Sequence, residues 1–66
     1  MKLAGKVWNT LPQQERFQLL RACRSELSDS LKEHESTLKW DELWPLTQDA
    51  LLKVDFSAIL GRDVAP

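Results

Sequence analysis

Apolar residues recur along the first half of the chain with the period of an α-helix. Phe17, Leu20, Arg24, Leu27, Leu31, His34 and Leu38 follow one another at alternating intervals of three and four. This is the spacing of an a/d heptad seam with two polar interruptions. Cys23 lies beside the seam and Leu19 flanks it. Thr10 is a natural N-cap for such a helix, with Pro12 in the first turn and Gln13 completing a capping-box pattern. No Gly or Pro interrupts the chain from Gln13 to Lys39. The spacing therefore predicts a helix over 11–38, about 42 Å long at about 1.5 Å per residue. The weak point is Ser28-Asp29-Ser30, whose side chains compete for backbone hydrogen bonds. Ser30 to Glu33 also fits a capping box. The seam keeps its phase across this segment, which favours a continuous helix over a kinked one.

A second helix follows Ser36-Thr37 and Trp40-Asp41. Pro45 cannot sit deep in it, so it begins near Asp41 with a distorted first turn or at Pro45 itself. It runs to about Leu60, where Gly61 is a natural C-terminal stop. On a helical wheel Trp40, Leu43, Trp44, Ala50, Leu51, Val54 and Ala58 share one broad face. Leu52, Phe56 and Ile59 fall nearly opposite. A helix that is apolar on two sides is buried on two sides.

The pattern thus predicts an all-α fold: a long first helix, with Ser28–Ser30 as the place for any kink, and a second helix packed back on it as an αα-hairpin. Residues 1–9 read as a short lead-in, 10–61 as one domain and 62–66 as a frayed tail. A rod of that length cannot be covered by the rest of a 66-residue chain. Either it bends or a second copy packs along it, and the seam residues Phe17 to Leu38 are then the interface of a homodimer. Chains of this size sit near the lower limit for one self-sufficient core. The single cysteine cannot form an internal disulfide, so association is the expected support.

Composition removes several functions. The net charge of −1 gives no electrostatic footprint for nucleic acid. Lys6 cuts short any apolar stretch after Lys2, and no run is long enough to span a membrane. A cytoplasmic, reducing setting is expected from the lone thiol. Cys23 and His34 are the only conventional nucleophile and base. On one helix they stand roughly 16 Å apart, at 1.5 Å per residue, beyond hydrogen-bond reach. Their ordinary roles are a small seam residue and a polar seam position, with His34 a candidate for tuning dimer pairing with pH. One His and one Cys offer no metal-ligand spacing, and Gly5 and Gly61 form no phosphate loop. No cofactor and no metal are expected. Arg24 in the seam either snorkels outward or specifies register.

Contact is the chemistry that remains. Three tryptophans in so short a chain are a surplus, because each indole N–H needs a partner. Trp40 and Trp44 lock the second helix to the first, serve as binding anchors, or do both. Leu52, Phe56 and Ile59 form the rival patch. The expected function is a small non-catalytic protein–protein interaction module, an adaptor or an inhibitor or regulator of a larger protein. Its economy suits a phage or mobile element. The alternative is a dimeric nucleic-acid-binding regulator using Arg16, Arg21 and Arg24, although Glu15, Glu26, Asp29 and Glu33 intersperse with them.

Overall fold

The first helix breaks where its serines cluster. In a computed structural model, which describes residues 3–64, α2 (Gln13–Cys23) ends at Arg24 and α3 (Asp29–Ser36) starts after a turn. Ser28 is the N-cap of α3, its Oγ accepting from the Leu31 N–H at 3.3 Å. The capping potential of this segment therefore prevails over the unbroken phase of the seam. α3 folds back onto α2 and gives it the cover a rod would have lacked. The largest dimension of the fold is 28 Å, well short of the rod of about 42 Å that a continuous helix requires.

The ends of the domain are structured as well. Residues expected as a lead-in form α1 (Leu3–Thr10). Thr10 closes that helix, its hydroxyl donating to the Val7 carbonyl at 2.8 Å, and does not cap the next. α2 instead follows Pro12, which provides no side-chain cap. Residues 1–2 and 65–66, the outer ends of the expected lead-in and tail, lie outside the described residues. Within the expected tail, Val64 is only 8 % exposed.

The second half also divides. Trp40–Glu42 form a single 3₁₀ turn, with the Glu42 carboxylate accepting from the Lys39 N–H at 3.0 Å. Pro45 opens α4 (Pro45–Leu52) at its first turn, the place where a missing N–H costs nothing. The helix expected to reach Leu60 without a break stops at Lys53. Asp55 then caps α5 (Phe56–Leu60) by accepting from the Ala58 N–H at 3.2 Å. Gly61 ends α5 in the left-handed region, at φ 72°, where a side chain would be strained.

The result is an all-α globule of five helices among the described residues, not a two-helix hairpin. α2 is central and packs against α3, α4 and α5. Trp8, Leu19, Leu20 and Leu51 form the most deeply buried apolar centre. The seam is distributed through this single chain. Leu20 and Arg24 are buried, Phe17, Leu27 and Leu38 are half-buried, and Leu31 and His34 are exposed. The seven residues share no single helix: Phe17 and Leu20 lie on α2, and Leu31 and His34 lie on α3, which packs against it.

Candidate interaction surface

Two of the expected contact residues meet in a groove. Leu52 at the end of α4 and Phe56 at the start of α5 are separated by the Lys53–Asp55 turn, which swings both onto one side. Ala4 and Val7 of α1 face them, and the groove between has a volume of about 530 Å³ and is open to solvent. Its lining is mainly aliphatic and aromatic, with Lys53, Asp55 and Ser57 as polar members. Leu52 remains 44 % exposed, while Phe56 is nearly covered. Sequence reasoning finds Leu52 and Phe56 but not the opposite wall. The signal is present, since Ala4, Val7, Trp8 and Leu11 stand at i, i+3, i+4 and i+7.

The other expected contact residues go elsewhere. Trp40 is 7 % exposed and packs over Gly5 of α1. Its backbone is fixed at both ends, its N–H donating to Asn9 Oδ1 at 2.8 Å and its carbonyl accepting from Gln48 Nε2 at 2.7 Å. Trp40 is therefore a wedge between α1 and α4. Trp44 is the N-cap residue of α4 and is 39 % exposed, and Leu46, two residues on, is more exposed still. Ile59 lines a separate shallow depression with Gln18, Arg21 and Ala22 of α2.

The interior also holds polar and charged side chains. Glu35 is fully buried and accepts from the Trp44 N–H at 3.1 Å and from Thr47 Oγ1 at 2.5 Å. The same hydroxyl accepts from Arg24 Nη1 at 3.2 Å. Thr47 thus bridges a buried guanidinium and a buried carboxylate. Arg24 Nε also stands 2.8 Å from Glu26, but its N–H does not point along that line, and the contact is an ion pair without a hydrogen bond. Arg24 does not snorkel out to solvent. It closes the junction of α2 with α4.

These placements bear on the remaining chemistry. Arg16 and Arg24 spend their guanidinium groups on protein acceptors, and of the three arginines considered for nucleic acid Arg21 alone is exposed. Cys23 is half-buried, and burial pushes its thiol up to about 11 against a weaker opposing pull from Arg24. The thiol is protonated at neutral pH, which is the wrong state for a nucleophile. Among the described residues no group of three His, Cys, Asp or Glu side chains could hold a metal ion. No described helix is long and apolar enough to cross a membrane. In comparisons with known proteins, no family model, no curated protein and no solved structure matches the chain.

Proposed function

We infer that this chain is a non-catalytic protein–protein interaction module that grips an apolar segment of its partner in the groove between α1 and the α4–α5 turn. The observation that carries this reading is Leu52. It stands 44 % exposed at the edge of an apolar groove, in a chain that folds most of its other bulk inward. Apolar side chains flanking a groove, with polar groups at its margin, are the usual make-up of a binding hot spot. An adaptor or a regulator of a larger protein needs nothing more.

The test compares the parent chain with Leu52→Asp as immobilised bait against extract of the native host. Leu52 is exposed, so the variant should keep its helical circular dichroism. Proteins retained by the parent should be lost by the variant, with a cost of on the order of 2 kcal/mol where Leu52 is a hot spot. Equal retention by both baits would sink the groove as the docking site. Sedimentation of the purified chain adds the remaining case: a dimer that Leu52→Asp dissociates makes a second copy the partner.

A further inference from the structure

Gly61, Arg62 and Val64 fasten the C-terminal segment by contacts of different kinds. Gly61 turns the chain out of α5, with its N–H on the Ser57 carbonyl at 2.9 Å. Arg62 then reaches α2, where Nε donates to Glu15 Oε2 at 2.7 Å and Nη2 pairs with Oε1. Two residues on, the Val64 N–H donates to Ser57 Oγ at 3.2 Å, and the Val64 side chain is buried against the groove that Phe56 and Val7 line.

The fastenings differ in how readily they release. The arginine–carboxylate latch lies at the surface, where water competes for both groups. Residues 62–64 belong to no helix, so they can part from the domain without breaking any helical hydrogen-bond ladder. Segments held in this way open at lower free energy than the core beneath them. The site they cover is chemically defined by its occupant: one branched aliphatic side chain, with a backbone N–H directed at the Ser57 hydroxyl.

We propose that residues 62–64 are a displaceable strap in which Val64 fills one end of the groove as an internal ligand, until an extended partner segment presenting a branched aliphatic side chain replaces it. The displacement step rests on the groove being the docking site. The strap's opening does not. In the replacement, the incoming backbone N–H takes over Ser57 Oγ and the incoming side chain takes the seat of Val64. The Glu15–Arg62 latch sets how often the seat is vacant.

Native-state hydrogen exchange of the full chain, combined with binding of the apolar dye anilinonaphthalene sulfonate, tests this directly. Arg62→Glu places like charges at the latch. It should speed exchange of the Val64 amide at least tenfold, leave the Leu20 and Leu51 amides unchanged, and raise dye emission severalfold. Adding Leu52→Asp should abolish the dye gain, which ties it to the groove. Adding Glu15→Arg to Arg62→Glu should restore slow exchange, a rescue that general destabilisation would not give. Val64 exchanging no faster than Leu20 and Leu51 in the parent would overturn the strap, as would faster exchange in Arg62→Glu without a dye site. None of these readouts needs a partner, so the strap stands or falls independently of any search for one.

Discussion

Arg16 holds Trp8 on two sides. Its guanidinium carbon lies 5.4 Å from the centroid of the Trp8 ring, and its Nε donates to the Trp8 carbonyl at 2.9 Å. The hold extends further: Nη2 reaches the Asn9 carbonyl at 3.1 Å and Nη1 the Leu38 carbonyl, also at 3.1 Å. The Leu38 carbonyl in turn accepts from the Trp8 indole N–H at 2.9 Å. One cation therefore satisfies carbonyls near the end of α1 and in the segment after α3, where helix dipoles favour positive charge. Lysine has the charge but not the fork. Arg16→Lys should lose about 1–3 kcal/mol, the range for one or two charge-assisted hydrogen bonds. Urea denaturation checks this: the midpoint should fall with the slope unchanged. An unchanged midpoint would show that the charge alone suffices.

Thr47→Val tests the buried bridge. Valine keeps the shape of threonine but neither accepts from Arg24 nor donates to Glu35, and both partners are buried. Leaving buried charged groups short of partners costs more than a surface hydrogen bond, and the expected loss is about 2–4 kcal/mol. Thr47→Ser retains the hydroxyl and should lose only about 1 kcal/mol, for the missing methyl. Thermal or urea unfolding of the pair decides the point. A loss in Thr47→Ser that exceeds the loss in Thr47→Val would assign the role of Thr47 to packing.

Gly5→Ala sets two effects against each other. Alanine in a helix is favoured over glycine by about 1 kcal/mol. A Cβ at this position, however, would stand 2.9 Å from Cδ1 and 3.0 Å from Cγ of Trp40. The indole has little room to yield, since Asn9 and Gln48 hold its backbone from either side. Overpacking of this kind costs about 1–3 kcal/mol, so the net change should be destabilising. A higher unfolding midpoint for the alanine variant would mean that the wedge is looser than its geometry implies.

That glycine also explains why α1 is hard to read from the sequence. The apolar period of Ala4, Val7, Trp8 and Leu11 is helical, but Gly5 and the shortness of the run point to a lead-in. The reason for the glycine lies in Trp40, which is remote in sequence. The all-α class, the start at Pro45 and the stop at Gly61 are readable, because each rests on local backbone chemistry. The break at Ser28 is visible only as an alternative. Periodicity reports which face of a helix is apolar and not whether its axis stays straight. For the groove, Leu52 and Phe56 can be found on a wheel, whereas Val7 and Val64 reach it through tertiary folding. Arg24 reads as a seam irregularity because its partner, Thr47, lies on another helix.

Cys23 supplies a prediction with a pH axis. Burial raises its thiol from 9.0 to about 11, so the folded state favours the protonated form more than the unfolded chain does. For a group shifted upward, the associated stability is fully present below the unfolded value and is lost as pH rises towards the folded one. The sensitive window is therefore pH 9 to about 11. The loss should stay below about 2 kcal/mol, since the partly exposed thiol is screened by water. Cys23→Ala should flatten the decline of the urea midpoint across that window, because other titrating groups are common to both proteins. Alkylation offers a sharper reading. The thiolate is the reactive species, so at pH 8 iodoacetamide should modify the folded chain ~100-fold more slowly than the unfolded chain. Comparable rates would place Cys23 in water and remove both the shift and its stability term.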